Sequence, residues 1–239
     1  MRKTKIVATV GPASRSEEKL RALIEAGVDV LRLNMSHGNQ AGHQQVIDLV
    51  RQISLERSLS TAILADLQGP KIRLGMFRGG EPVHLQANQR FVLSTHEVEG
   101  TAEIASISYK ALPAEVKPGE RILVDDGLIE LRVESVTPTE VITKVIFGGF
   151  LKDRKGVNFP DSQLSVPAVT EKDQADIAFA VRNEVDYLAL SFVREAADIA
   201  KAREIVLGHD DKHGSIPIIT KIEKPQALDD IDSILTVAD

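Results

Sequence analysis

The sequence predicts an α/β protein whose parallel sheet is interrupted by a small all-β domain. Strand-like and helix-like patterns alternate over residues 1–69 and again over residues 168–239. Between them, residues 70–167 contain short strand-like segments separated by turn residues and no amphipathic helical pattern. Alternating strands and helices are typical of parallel sheets, whereas clustered short strands with turn signals are typical of all-β domains. We therefore expect the β domain to be inserted after the third strand of the α/β domain.

The first α/β segment contains three predicted strands with two predicted helices between them. Apolar residues at helical spacing predict the helices. We expect the first helix to open with a capping box formed by Ser14 and Glu17 and to end at Gly27. Apolar runs predict the strands, at residues 5–10, 28–33 and 62–66.

A hairpin is the clearest local feature of the inserted segment. Asp126 and Gly127 separate the apolar runs 122–124 and 128–133. An Asp-Gly pair in this context favours a tight turn that joins two antiparallel strands. The same turn accounts for Asp125 and Asp126, which resemble a metal-binding pair but to which we assign no site.

The second α/β segment resumes the alternation, with two strands and three helices. Thr170 and Asp173 predict a helix cap, and apolar runs predict strands at 187–193 and 216–222. The α/β segments total five predicted strands over about 141 residues, whereas a complete (β/α)₈ barrel usually needs about 250. We expect a truncated TIM-type barrel, because an open sheet would leave its edges uncovered.

Composition limits the classes of function and location. The net charge of −6 and an aromatic content of 4 % argue against nucleic-acid or anionic-membrane partners. The absence of cysteine excludes disulfides, thiolate catalysis and cysteine-based zinc sites, and it fits a reducing compartment. We find no signal peptide or transmembrane segment in the sequence and expect a cytoplasmic protein.

Charged side chains follow the ends of two predicted strands. Lys221 and Glu223 project to the same side because strand side chains alternate, and Arg32 leaves another strand end. A cation beside a carboxylate at this edge suits a site that handles phosphate and enolate charge. The alternatives are a same-face surface ion pair at Lys221 and Glu223, and a solvated Arg32.

A second polar group is interpreted as a solvated loop. His209, Asp210, Asp211 and His213 resemble a metal cluster, but they lie in a polar connection between a helix and a strand. Ser36 and His37 have a similar structural alternative, since they could cap the helix that follows them.

Six segments of the chain together point to a known family: residues 4–14, 31–38, 66–73, 155–160, 190–194 and 221–223. They resemble segments of the pyruvate kinase family and occur in the family's order. The resemblance implies a barrel A domain with a B-domain lid inserted after the third strand. It also implies transfer of the phosphoryl group of phosphoenolpyruvate to ADP, giving pyruvate and ATP, the last step of glycolysis.

The resemblance also implies roles for individual residues. Arg32 and Lys221 become the catalytic and substrate-binding residues: the guanidinium clamps the phosphate, and the ammonium stabilises the phosphoryl group and the enolate. Glu223 becomes a ligand of Mg²⁺ or Mn²⁺. The implied potassium ligands are Asn34, Ser36, Asp66 and the Leu67 carbonyl, and the implied nucleotide contacts are Asn34, Met35, Ser36, His37, Arg73 and Lys155.

One departure from the family pattern concerns the monovalent cation. Potassium-dependent members typically read Thr-Lys-Gly-Pro-Glu after the aspartate, whereas residues 67–71 read Leu-Gln-Gly-Pro-Lys. Leu67 with Lys71 resembles the subgroup that works without K⁺. A tethered ammonium can supply the positive charge of that ion and would repel it. We expect a requirement for Mg²⁺ but little or none for K⁺.

A second departure is the end of the chain at Asp239. The family's second Mg²⁺ ligand, a catalytic threonine and the C-terminal domain would all follow it. We therefore expect an N-terminal portion with little independent activity, taken from a full-length homotetramer.

Two alternatives are of other kinds. One is a lyase or aldolase barrel that handles phosphoenolpyruvate or pyruvate, although such barrels do not carry the lid or the segment 32–38. The other is a non-catalytic fragment whose β domain folds alone.

Overall fold

The computed structural model describes residues 3–162, 164–209 and 216–239, and the chain divides into two compact units. The first unit, here called the α/β unit, comprises Met1–Pro70 and Pro167–Asp239. The second, here called the β unit, comprises Lys71–Val166. The β unit is therefore an insertion that interrupts the α/β unit in sequence. No helix in the described ranges is both long and apolar enough to cross a membrane.

Strands and helices alternate through the first part of the α/β unit. The predicted capping box of Ser14 and Glu17 is wrong, because Ser16 caps the first helix and accepts a hydrogen bond from Lys19 N. The Ser14 hydroxyl instead accepts from Gly11 N–H, at 3.0 Å, and closes the preceding turn. The elements are β1 (Val7–Val10), α1 (Glu17–Glu25), β2 (Val30–Asn34), α2 (Gln40–Arg57) and β3 (Ala62–Asp66).

The β unit is built mainly on antiparallel strand pairs. Its elements are β4 (Val83–Leu85), β5 (Arg90–Ser94), β6 (Ile104–Ser106), α3 (Leu112–Glu115), β7 (Arg121–Val124), β8 (Ile129–Val136), β9 (Glu140–Phe147), β10 (Gly149–Leu151) and β11 (Val157–Asn158). A six-stranded sheet has the order β11-β7-β8-β9-β5-β6, in which β5 and β6 are parallel, and β4 pairs separately with β10. The one-turn helix α3 was not predicted.

The predicted hairpin connects β7 and β8. Asp125, Asp126 and Gly127 all have positive φ, at 54°, 56° and 88°. Asp and Gly tolerate this left-handed conformation better than most residues, which explains why the chain turns here. The flanking strands pair antiparallel, so the hairpin prediction is confirmed.

The second part of the α/β unit continues the alternation after the β unit. The capping box of Thr170 and Asp173 is confirmed, since the Thr170 hydroxyl accepts from Asp173 N–H and the Asp173 carboxylate accepts from Thr170 N–H. The two strands end earlier than predicted, at Leu190 and Thr220. The first ends early because the chain turns at Phe192, whose φ is 57°. The elements are α4 (Glu171–Arg182), β12 (Tyr187–Leu190), α5 (Ala196–His209), β13 (Ile218–Thr220), α6 (Gln226–Asp229) and α7 (Ile231–Val237).

The five strands of the α/β unit form one parallel sheet in the order β1-β2-β3-β12-β13. Leu31, Leu33 and Ile63 belong to the core that the sheet shares with the helices. Because side chains alternate along a strand, Arg32 and Asp66 project from the opposite face. Sequential parallel order with helical connections is the arrangement of the first five strands of a (β/α)₈ barrel.

Candidate active site

The carboxyl ends of four neighbouring parallel strands lie along one edge of the sheet, and three of them, β2, β3 and β13, bring polar side chains there. Asp66 is the last residue of β3 and lies opposite Asn34 of β2. Ala189 of β12 pairs with Asp66 on the other side. Lys221 follows β13 directly, and its N–H donates to the Leu190 carbonyl at 3.0 Å. The fold therefore places the predicted cations and carboxylates in one region.

Asp66 is the centre of this region. Its side chain is only 4 % exposed, and Oδ2 accepts a 2.7 Å hydrogen bond from Arg32 Nε and a second one from Arg32 Nη2. Its Oδ1 lies 2.9 Å from Lys221 Nζ, with no other partner among the described residues, so this contact is an ion pair and not an aligned hydrogen bond. A buried carboxylate needs such partners, because desolvation of an unpaired charge is costly.

The two cations share this carboxylate but remain open to solvent. The side chains of Arg32 and Lys221 are 30 % and 29 % exposed. Arg32 Nη1 also donates to the Thr9 hydroxyl at 2.9 Å, which fixes the plane of the guanidinium. Arg32 and Lys221 are balanced by Asp66 and Glu223, but the two cations keep solvent-facing donors at the rim of the sheet. Such an arrangement can attract and orient an anion.

Glu223 lies beside Lys221. Its Oε1 is 3.6 Å from Lys221 Nζ, and its Oε2 accepts a 3.0 Å hydrogen bond from Phe192 N–H. The side chain is 37 % exposed, so its oxygens can also reach a ligand from solvent. An oriented carboxylate is the type of ligand that Mg²⁺ and Mn²⁺ prefer, and the residue therefore fits a divalent-cation site.

The turn at Phe192 explains how its N–H reaches Glu223. Phe192 has a positive φ, and Gly69 lies against it. A Cβ on Gly69 would lie 3.0 Å from the Phe192 ring and 3.1 Å from Ser191. The positive φ of Phe192 and the absence of a side chain at Gly69 together allow the turn that presents Phe192 N–H to Glu223. Neither residue was identified from the sequence as part of the site, because the strain is visible only in the backbone angles.

Lys224 is a further residue that sequence reasoning missed. Its ammonium lies 5.5 Å from the centre of the Phe192 ring. Burial lowers the pKa of Lys224, the charge of Arg194 lowers it further, and Glu223 opposes the change. The only sequence signal was its position next to Glu223.

The predicted nucleotide-binding loop at the end of β2 is held by backbone contacts. Ser36 N–H donates to Asn34 Oδ1 at 3.0 Å, and Met35 N–H donates to the Asp66 carbonyl at 2.9 Å. His43 Nε2 contacts the His37 carbonyl at 2.9 Å. The interpretation of Ser36 and His37 as a helix cap is wrong, because Asn39 caps α2. The Asn34 side chain turns back on its own loop, which explains why the cap lies further along.

Of the four residues predicted to bind K⁺, three have oxygens that already contact protein partners. Asp66 is bonded by Arg32 and paired with Lys221, and Asn34 Oδ1 accepts from Ser36 N–H. The Leu67 carbonyl accepts a 2.6 Å hydrogen bond from the Ser191 hydroxyl. The set has the oxygen chemistry of a cation site. Its aspartate, however, is already compensated by two positive side chains.

The remaining predicted residues lie in the β unit, where two segments bring basic side chains together. Leu74 N–H donates to the Lys155 carbonyl at 3.0 Å, which sets the 71–74 segment beside 154–157. Arg73 Nη1 donates to the Arg154 carbonyl at 2.8 Å. Lys155 forms a 2.8 Å ion pair with Asp125, which accounts for that aspartate without a metal. Lys71 belongs to the same group by its position in the first segment.

The polar group near His209, which we interpret as a solvated loop, lies mostly outside the part of the chain that the structure describes. His209 ends α5, but Asp210, Asp211 and His213 lie outside the described residues. Across the ranges that are described, no cluster of three or more His, Cys, Asp or Glu side chains could hold a metal ion.

Comparison with known proteins gives a consistent result. The sequence profile described as "Pyruvate kinase, barrel domain" matches residues 1–239. The chain is 45 % identical over 240 residues to pyruvate kinase from Clostridium perfringens, and it is 46 % identical over 241 residues to pyruvate kinase 2 from Synechocystis. All of the chain is aligned in both cases, covering 50 % of the first relative and 40 % of the second.

A solved structure agrees with the sequence matches. The crystal structure of a pyruvate kinase from Cryptosporidium parvum superposes with a TM-score of 0.90 at 35 % identity, and it covers all of this chain and 50 % of that one. The chain thus spans about half the length, or less, of the relatives that it matches. The predicted partial TIM-type barrel is confirmed by the profile and by this structure. The chain belongs to the pyruvate kinase family.

Proposed function

We propose that this chain supplies the phosphoenolpyruvate-binding part of a pyruvate kinase active site, for phosphoryl transfer from phosphoenolpyruvate to ADP. The observation that carries the proposal is the joint pairing of Arg32 and Lys221 with the buried Asp66, with Glu223 3.6 Å from the lysine. Phosphoryl transfer depends mainly on positioning and on charge stabilisation, and this group of residues supplies both.

Arg32 binds the phosphoryl group in this proposal. A guanidinium has five N–H donors, and the contacts with Asp66 and Thr9 use three of them. The remaining donors on Nη1 and Nη2 can form a forked contact with a phosphate. Asp66 and Thr9 then orient the guanidinium before the substrate arrives.

Lys221 and Glu223 act on the charge that develops during transfer. The Lys221 ammonium stabilises the phosphoryl oxygens and the enolate oxygen that is left behind, both of which are anionic. Glu223 would hold Mg²⁺ or Mn²⁺, which when bound neutralises phosphate and enolate oxygens. The hydrogen bond from Phe192 N–H keeps one carboxylate oxygen in a fixed position for this role.

The nucleotide is proposed to bind the loop of residues 34–37 and the basic group of the β unit. The loop is held by Asp66 and by its own turn, which supports a preformed phosphate contact. In the β unit, Arg73 and Lys155 supply donors and positive charge for nucleotide phosphates. The β unit, 71–166, is proposed to be the lid.

The monovalent cation is proposed to be replaced by Lys71. Hydrogen bonds and an ion pair already occupy oxygens of Asn34, Asp66 and Leu67. Leu67 contributes only its carbonyl to the implied set, and that carbonyl already accepts from the Ser191 hydroxyl. These features support phosphoryl transfer that needs little or no K⁺.

The whole protein is proposed to be a cytoplasmic homotetramer whose partners are phosphoenolpyruvate, pyruvate and the adenine nucleotides. Family membership supports this proposal. The lyase or aldolase alternative is disfavoured, because the profile match extends over the entire chain, including the inserted β unit.

A coupled assay of pyruvate release tests the proposed function in the protein expressed from its complete reading frame. Pyruvate release that requires ADP supports a kinase, and Lys221→Met should lower kcat by about 10²–10³-fold. Pyruvate release without ADP would instead indicate a lyase. Amide exchange on the 239-residue chain tests the non-catalytic alternative, because protection confined to residues 70–167 would show that the β domain folds alone.

A further inference from the structure

Helix α4 contacts both ends of the connection between β2 and α2. Lys172 Nζ donates a 2.6 Å hydrogen bond to the Met35 carbonyl and also pairs with the carboxylate of Asp176, one turn further along α4. Asp176 is 3 % exposed, and its Oδ1 accepts from Gln40 Nε2 at 3.3 Å. Gln40, the first residue of α2, also donates to the Ala175 carbonyl at 3.2 Å.

These contacts complete the support of the 34–37 loop. Met35 N–H is already bonded to the Asp66 carbonyl, so the Met35 peptide units are held from β3 on one side and from α4 on the other. A hydrogen bond from an ammonium to a carbonyl is stronger than one between neutral groups. Without Lys172, the Met35 carbonyl would lose this contact with α4.

We propose that Lys172 and Asp176 are positioning residues that hold the 34–37 loop in the conformation that receives nucleotide phosphate. The inference rests on the proposed function, because the loop's role as a nucleotide contact belongs to that proposal. Lys172 acts through the Met35 carbonyl. Its charge is compensated by Asp176, so the pair adds no net positive charge to the loop.

Direct binding of phosphate by Lys172 is the competing explanation, and Asp176→Asn separates the two. If Asp176 holds Lys172 on the Met35 carbonyl, its loss loosens the loop and raises the KM for ADP. If Lys172 binds phosphate itself, loss of the competing carboxylate frees the ammonium and lowers the KM for ADP. A lower KM in this variant therefore overturns the proposal.

The experiment compares four variants in the protein expressed from its complete reading frame. Lys172→Met should raise the KM for ADP about tenfold and leave the KM for phosphoenolpyruvate within twofold. The reason is that a displaced 34–37 loop would contact the nucleotide phosphate less well. Lys172→Arg should restore most of the loss, and Asp176→Asn should act in the same direction as Lys172→Met. Lys201→Met, which removes an exposed ion pair with Glu204 on α5, is the matched control and should change neither KM.

Hydrogen exchange supplies a readout that does not depend on activity. In Lys172→Met, amides 35–37 should exchange about tenfold faster, equivalent to about 1.4 kcal/mol, while the amides of β3 keep their protection. Unchanged exchange at 35–37 overturns the proposal. An equal rise in both KM values would show general damage and would also overturn it. If the unmodified protein shows no ADP-dependent activity, the proposed function fails, and the exchange experiment still decides whether Lys172 holds the loop.

Discussion

At the scale of residues, one buried carboxylate organises the candidate site. Asp66 is bonded to Arg32 through one oxygen and paired with Lys221 through the other, so a single side chain sets the separation of two cations. Both cations stay about 30 % exposed, which lets them also contact a solvent-borne anion. The orientation of the site therefore depends on a residue that is itself hidden from substrate.

Asp66→Asn should destabilise the protein more than the loss of an exposed ion pair does. The amide cannot compensate two cations, and we expect the free energy of unfolding to fall by about 1–3 kcal/mol, less than for a fully buried pair because the cations reach solvent. Urea denaturation measures the change. Glu204→Gln, which breaks an exposed pair with Lys201, is the control and should cost under about 1 kcal/mol. Equal losses in the two variants would contradict the central role of Asp66.

Gly69→Ala tests the support of Glu223. Gly69 has φ 66°, and a Cβ would press on Phe192 and Ser191, so Phe192 N–H should move away from Glu223. We expect about tenfold weaker binding of Mn²⁺ and a stability loss of about 1–3 kcal/mol.

Gly79→Ala is the matched control for that substitution. Gly79 has the same φ of 66° but nothing within 4 Å of its Cβ position. It should therefore show only backbone strain, about 1 kcal/mol, with no change in Mn²⁺ affinity. If both variants bind Mn²⁺ like the unmodified protein, the contact between Phe192 and Glu223 has no role in metal binding.

At the scale of elements, an ion pair in the β unit connects a loop to the start of a strand. In the β unit, Asp161 accepts hydrogen bonds from both the backbone N–H and the guanidinium of Arg121, the first residue of β7. These hydrogen bonds lower the pKa of Asp161 from 3.8 to about 2. The carboxylate thus connects the segment after β11 to the start of β7.

This contact predicts an acid-dependent loss of stability in the β unit. Because the folded state lowers the pKa of Asp161, the stabilisation is complete above about pH 4 and is lost as the pH falls towards 2. Asp161 and Arg121 are 33 % and 45 % exposed, so solvent screening keeps the contribution to about 1 kcal/mol.

Asp161→Asn should reduce the part of the pH dependence that lies between pH 4 and pH 2. Thermal unfolding at several pH values, followed by a signal from the β unit, measures it. Glu99→Gln, which breaks an exposed pair with Arg78 in the same unit, is the control. An unchanged slope in Asp161→Asn would show that the ion pair does not contribute.

At the scale of the whole molecule, the chain combines two units whose predicted functions are complementary. The α/β unit holds the residues proposed to act on phosphoenolpyruvate, and the β unit holds Arg73 and Lys155, proposed to act on the nucleotide. Lys71 is the first residue of the β unit and follows Asp66 by five positions. At most about 18 Å of chain separates the two residues, and the proposed replacement of K⁺ by Lys71 rests on this short connection and on the sequence.

The tethered ammonium leads to a prediction for the complete enzyme. In buffer without sodium or potassium, the rate should already be near its maximum, and KCl should raise it less than twofold, since like charges repel at short range. Lys71→Met should lower the rate in that buffer and make it respond to KCl. A tenfold or greater activation of the unmodified enzyme by KCl would contradict the prediction.

The sequence by itself determined the architecture of the α/β unit, because its signals are local. Apolar periodicity predicted the five strands, Thr170 and Asp173 predicted a cap, and Asp126 with Gly127 predicted a hairpin. Strand alternation was also expected to place Lys221 and Glu223 on one side, but β13 ends at Thr220, so their 3.6 Å contact is set by the segment that follows the strand. Local patterns were ambiguous at Ser14 and Ser36, because a hydroxyl there had several possible backbone partners. In the structure, Ser16 and Asn39 cap the two helices instead.

Only the tertiary structure decided which side chains meet. Asp66 and Lys221 are far apart in sequence, and their pairing follows from the register of the parallel strands between them. The strained turn at Phe192 and the contact of Lys172 with Met35 also depend on packing between separate elements. The physical reason is that periodicity and propensity act over a few residues, whereas a charge is positioned by whatever the complete fold brings next to it.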